Sequence, residues 1–119
     1  MESTKKTIVQ KIKVQTEDVF LVAEKYYSIL SAINDLKLTQ REIQLVAFTA
    51  VIGNMSYKHV RAEFCTKYNT TNPTINNIIS KLKKMKVFVK DRNKIKVNPV
   101  ILLDFTNNVV LEIKLNGKA

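Results

Sequence analysis

Between residues 74 and 84 the polar side chains of Thr74, Asn76, Asn77, Ser80, Lys81 and Lys84 are interleaved with Ile75, Ile78, Ile79 and Leu82. The apolar set recurs at i, i+3, i+4 and i+7, one face of an α-helix, so the polar set is left towards solvent or a ligand. A carboxamide offers one acceptor and a pair of donors in one plane, the pattern that pairs bidentately with an adenine edge. Lysines near the helix end reach guanine edges or phosphates. The chemistry on offer is recognition by hydrogen bonding. A solvated helix surface is the plainer alternative, but two adjacent asparagines in a helix interior lower its propensity, and a plain surface has no need of them.

Charge points the same way. Twenty Lys and Arg against ten Asp and Glu leave +10 over 119 residues, and residues 57–96 hold eleven of the cations against Glu63 and Asp91, a local balance of +9. An excess confined to one structural unit marks a face for a polyanion. Other chemistries find little support. Cys65 and His59 are single, so neither an internal disulfide nor a metal cluster of ordinary spacing can be assembled. No phosphate-binding glycine loop or nucleophile motif occurs, and the acids are scattered singly apart from Glu17 and Asp18, which suit a helix N-terminus. A non-catalytic protein without metal or cofactor is expected. No apolar run of membrane-spanning length occurs, and the lysine-rich start does not resemble a secretory signal, so the expected location is the cytoplasm of a bacterial or phage-infected cell.

The elements that must position these residues form one α+β domain. Alternation predicts a strand over 7–15, and helical periodicity behind a Thr16 cap predicts a long helix over 17–36. Thr39 and Glu42 make a capping box for a nearly all-apolar helix over 40–52, stopped by Gly53 and Asn54. Ser56 opens a helix over 57–68, and the recognition candidate spans 73–85. A basic hairpin over 87–97 follows, ended by Asn98-Pro99, and then an apolar hairpin over 100–115.

The most specific stretch is Phe64-Cys65-x-x-Tyr68-Asn69-Thr70-Thr71-x-x-Thr74-Ile75, which resembles the L-A-x-x-L-G-I-S-x-x-T-V core of bacterial and phage helix-turn-helix proteins. Large apolar residues pin the first helix, and the small Cys65, expected as a buried thiol, lets two helices approach. Asn69 takes a position that needs positive φ. Thr71 or Asn72 caps the second helix and Pro73 suits its first turn. Residues 39–97 resemble a winged helix-turn-helix of the MarR type. The stretch Ile95-Lys96-Val97-Asn98-Pro99 is similar to what small plasmid and phage replication initiators carry after the wing. Three departures stand out: Thr70 replaces an apolar turn residue, Lys86 replaces a glycine, and the wing tip has no glycine, which implies a short, stiff wing.

The resemblance implies sequence-specific binding of double-stranded DNA through Thr71, Asn72, Thr74, Asn76, Asn77 and Lys81, to which the helical pattern adds Lys84. The wing implies phosphate or minor-groove contacts by Lys90, Arg92 and Lys94, with Lys58 and Arg61 as further backbone candidates and His59 on the surface beside them. Tyr57 and Tyr68 are expected to pack. The expected function is that of a transcriptional regulator or DNA replication initiator of phage or plasmid type, working as a homodimer on two-fold half-sites. The alternative is a phage structural or assembly protein that uses the same fold and the apolar C-terminal hairpin to hold partner chains.

Overall fold

Each helix boundary depends on what takes up the terminal N–H and C=O groups. The computed structural model describes residues 6–11, 18–105 and 110–115, with side chains over 18–105. Strand β1 (Lys6–Lys11) precedes helix α1 (Val19–Ile33). Asp18 caps α1 by accepting the Phe20 N–H at 2.9 Å. The expected Thr16 cap and residues 12–15 of the expected strand lie outside the described residues. The helix stops short of Leu36, because Asp35 turns to φ 52° and the Leu36 N–H closes onto the Ser31 carbonyl at 2.9 Å.

Helix α2 (Gln40–Ile52) has the expected bounds. Its capping box is complete: Thr39 Oγ1 accepts the Glu42 N–H at 3.2 Å, and Glu42 Oε1 accepts the Thr39 N–H at 2.8 Å. Gly53, at φ 113°, ends it. Helices α3 (Lys58–Tyr68) and α4 (Asn72–Lys84) follow, then the antiparallel hairpin of β2 (Phe88–Asp91) and β3 (Lys94–Val97), in register Phe88↔Val97 to Asp91↔Lys94.

Phe48 of α2 centres the core. Its ring lies 5.4 Å from Phe20 of α1, 5.3 Å from Phe64 and 6.3 Å from Tyr68 of α3. Leu45, Val46 and Ala47 are buried beside it, and α4 and the hairpin close the other side with Ile75, Ile79, Leu82, Phe88 and Val97. Burying each such side chain is worth about 1.5–3 kcal/mol, so the three-helix contact around Phe48 fixes where α3 stands, and Ile75, Ile79 and Leu82 anchor α4.

The link between α2 and α3 ties the hairpin down. The Met55 N–H donates to the Ile95 carbonyl at 2.9 Å. Ser56, expected to open α3, turns to the hairpin instead: its Oγ accepts the Ile95 N–H at 2.7 Å and donates to the Asn93 carbonyl at 3.3 Å. Tyr57 takes the cap position of α3 with no side-chain bond.

Among the described residues, 100–105 form no strand, so the hairpin expected over 100–115 is not made there. Residues Pro99–Ile101 make a 3-10 turn capped by Asn98, whose Oδ1 accepts the Val100 N–H at 3.0 Å. The Tyr27 hydroxyl donates to the Ile101 carbonyl at 2.8 Å, and Phe105 packs 5.5 Å from Tyr26 and 5.6 Å from Tyr27. Docking on α1 thus takes the apolar run 100–105 expected as one strand of that hairpin. Strand β4 (Val110–Leu115) pairs with β1 instead, antiparallel, from Lys6↔Leu115 to Lys11↔Val110. The expected turn at 106–108 lies outside the described residues. Among the described residues the fold is α+β, with four α-helices, the β2–β3 hairpin and the β1–β4 pair. Among the described residues no helix is long and apolar enough to cross a membrane.

Candidate nucleic-acid interface

The turn between α3 and α4 is built on one left-handed residue. Asn69 adopts φ 52°, and the Thr70 N–H returns to the Cys65 carbonyl at 3.1 Å. Cys65 is half-buried rather than buried, with Sγ 3.9 Å from Asn72 Oδ1 across the helix junction. Thr71 holds the cap position of α4, but its hydroxyl pairs with Thr74 Oγ1 at 3.1 Å and makes no bond to the backbone. Pro73 lies in the first turn as expected.

Helix α4 buries Ile75, Ile79 and Leu82 and half-buries Ile78. Diametrically opposite, Asn77, Ser80 and Lys84 are exposed and have no side-chain partner among the described residues. Ser80 has the same standing as the expected contacts, and its helical position alone carries the signal for it.

The two edges of this face are built differently. On the α2 side, Lys81 Nζ bonds Glu42 Oε2 at 2.8 Å, so the expected contact is also an ion-pair partner of the α2 capping box. Burial would raise the Glu42 carboxyl, but the Lys81 ammonium and the Thr39 amide and hydroxyl outweigh it and hold the carboxyl below its ordinary range. On the α3 side, Arg61 Nε donates to the Met55 carbonyl at 2.8 Å and its Nη1 donates to Asn76 Oδ1 at 2.5 Å. Ser56, Lys58, Arg61, Asn72 and Asn76 line an open depression of about 410 Å³ there.

The hairpin turns on two residues, Arg92 at φ 51° and Asn93 at φ 66°, the left-handed pair of a type I′ turn. The loop is short, two residues between the strands, as expected without glycine. Lys90 and Arg92 are exposed at its tip, while Lys94 is half-buried with Nζ 5.9 Å from the Tyr57 ring. Tyr57 does not pack inside; it is 46% exposed and stacks on His59 at 5.6 Å, so the hairpin tip meets the start of α3. Other cations of the basic segment are engaged: Lys67 lies over the Phe20 ring at 4.4 Å, and Lys96 approaches Asp91 at 3.7 Å. Tyr68 is half-buried as expected, its hydroxyl 3.3 Å from a Glu24 carboxylate oxygen. Burial raises both groups above their ordinary pKa values.

Compared with protein-family models, curated proteins and solved structures, the chain matches none.

Proposed function

We propose that the chain is a winged helix-turn-helix protein that binds double-stranded DNA without catalysing a reaction on it. The observation that carries this reading is the outer face of α4: Asn77, Ser80 and Lys84 are exposed and unpartnered among the described residues, on a helix whose other side is anchored in the core. A helix held on one side and polar on the other suits the major groove, about 12 Å wide. The order α2, α3, turn, α4, β2, β3, with Met55 bonded to Ile95, supports the winged arrangement. In it Lys90 and Arg92 lie on the phosphate backbone beside the groove. The role proposed is that of a regulator or replication initiator acting as a homodimer on half-sites in a bacterial or phage-infected cytoplasm.

The test is fluorescence anisotropy of a labelled duplex over a salt series. Four phosphates neutralised by cations such as Lys58, Lys84, Lys90 and Arg92 give a slope of log affinity against log salt near about −3.6. Absence of binding at low salt would sink this reading. A second reading, an assembly module that holds partner chains, draws on a different surface. Val100 is 88% exposed, and Leu102 and Leu103 join Val19, Ala50, Val51 and Phe105, with Asp104 among them, around a largely apolar depression of about 340 Å³. A chain that ignores DNA in the salt series but loses a protein partner on Leu103→Asp would favour that module.

A further inference from the structure

The two neighbouring asparagines of α4 are chemically different in place. A guanidinium only donates hydrogen bonds, so the Asn76 atom facing Arg61 Nη1 at 2.5 Å must be its oxygen. Arg61 is itself fixed, through Nε, on the Met55 carbonyl at 2.8 Å. The Asn76 carboxamide is therefore held with its acceptor turned towards α3 and its NH2 group left for a ligand. Bidentate pairing with adenine needs the acceptor and a donor of one amide edge to face the base together. Asn76 lacks that freedom, whereas Asn77 is exposed and has no partner among the described residues.

What surrounds Asn76 completes the picture. The depression beside it is lined by Ser56, Lys58, Arg61, Asn72 and Asn76, with no carboxylate in the lining. Lys58 is exposed and unpartnered among the described residues. An ammonium, the remaining N–H groups of a guanidinium and an amide NH2 on one concave surface suit an anionic oxygen and offer little to a base edge.

We infer that this crevice between α3 and α4 seats one phosphodiester of the bound duplex, and that Asn76 belongs to the seat while Asn77 reads a base. The inference rests on the DNA-binding reading and divides the α4 face in two. Asn76 and Lys58 set register and affinity, and Asn77 sets sequence preference.

The experiment selects duplexes from a random pool with the full chain and with Asn76→Asp, Asn77→Ala and Lys58→Ala, then measures affinities over a salt series. Asn76→Asp keeps the oxygen that faces Arg61 but exchanges the NH2 donors for negative charge. All three positions are exposed, and coincident thermal melts establish that each variant is folded. Asn76→Asp is expected to weaken binding roughly tenfold or more on every duplex without altering the selected sequence. Lys58→Ala lowers the salt slope by about one. Asn77→Ala loses roughly five- to hundredfold preference at one A·T pair. A changed base preference in Asn76→Asp, or an unchanged one in Asn77→Ala, overturns the division while leaving the DNA-binding reading intact. Failure of the unaltered chain to bind any duplex overturns both, and is read separately from the variants.

Discussion

Helices α2 and α4 are each thirteen residues long, yet seven residues of α2 are buried and only three of α4. Their polar groups differ more than that ratio suggests. In α2 three of the five are bonded within the fold, Gln40 and Gln44 being the exceptions: Glu42 serves the capping box and Lys81, the Thr49 hydroxyl donates to the Leu45 carbonyl at 2.7 Å, and Arg41 donates to the Tyr68 carbonyl. In α4 the outermost ones, Asn77, Ser80 and Lys84, have no partner among the described residues. Polar side chains bonded inside the fold specify it, and polar side chains left open on a rigid element are available to something else. The same length of helix thus serves as scaffold in one place and as a presented face in the other.

The largest break between the two comes from truncation at the centre of α2. Phe48 is fully buried under Phe20, Phe64 and Tyr68. Phe48→Ala is expected to lower unfolding stability by about 3–5 kcal/mol, read as a shifted urea midpoint. Asn77→Ala should change the stability read from the same midpoint by less than about 0.5 kcal/mol. Similar losses from both would mean that α4 is also scaffold and that its outer face carries nothing distinct.

Much of this contrast was legible in the residues. The capping box of Thr39 and Glu42 and the apolar run behind it locate α2 with both its bounds, and the spacing of Ile75, Ile79 and Leu82 gives the buried side of α4. The place of Asn69 in the turn motif calls for positive φ, and it adopts 52°. What pattern could not supply was pairing at a distance. An apolar run over 100–105 reads the same whether it joins a strand or lies across α1, and the choice is made by the Tyr27 hydroxyl and by the packing of Phe105 on Tyr26 and Tyr27. Likewise, nothing local says that Ser56 bonds residues 93 and 95, that Lys81 meets Glu42, or that Arg61 orients Asn76. Such contacts decide which members of a polar face are still open, and they exist only once the chain is folded.

Glu42 joins the two helices, so altering it sharpens the comparison. Glu42→Gln keeps an acceptor for the capping box but removes the ion pair with Lys81. A carboxyl whose folded pKa is lowered stabilises the fold in its ionised form. That contribution is complete above the ordinary value of 4.5 and is lost as pH falls through the lower folded value. Because Lys81 is half-exposed, the gap between the unaltered chain and Glu42→Gln should be about 1 kcal/mol at neutral pH. It should close as pH falls below 4.5 towards the folded value, which urea midpoints measured at neutral and acidic pH check. A gap that does not change with pH would place the effect in packing.

The smallest effect lies where the two helices end. Helix α2 stops on Gly53 at φ 113°, whereas after α4 the left-handed position is taken by Lys86 at φ 65°. The Lys86 N–H returns to the Lys83 carbonyl at 3.1 Å and the Val87 N–H to the Leu82 carbonyl at 3.0 Å, the paired closure in which glycine is favoured because it has no Cβ. A side chain there costs about 1 kcal/mol, partly offset by the greater freedom that glycine has in the unfolded chain. Lys86→Gly should therefore stabilise the fold by roughly 0.5 kcal/mol, seen as a higher urea midpoint. The strained lysine adds a cation at the C-terminal end of α4, where the helix dipole favours it and where the basic hairpin begins. If that charge serves the face, the stabilised variant should bind duplex more weakly, with a salt slope shallower by about one. A variant that gains stability and binds as before would show that the lysine at this position is neutral for the face, and the contrast between the helices would then end at Lys84.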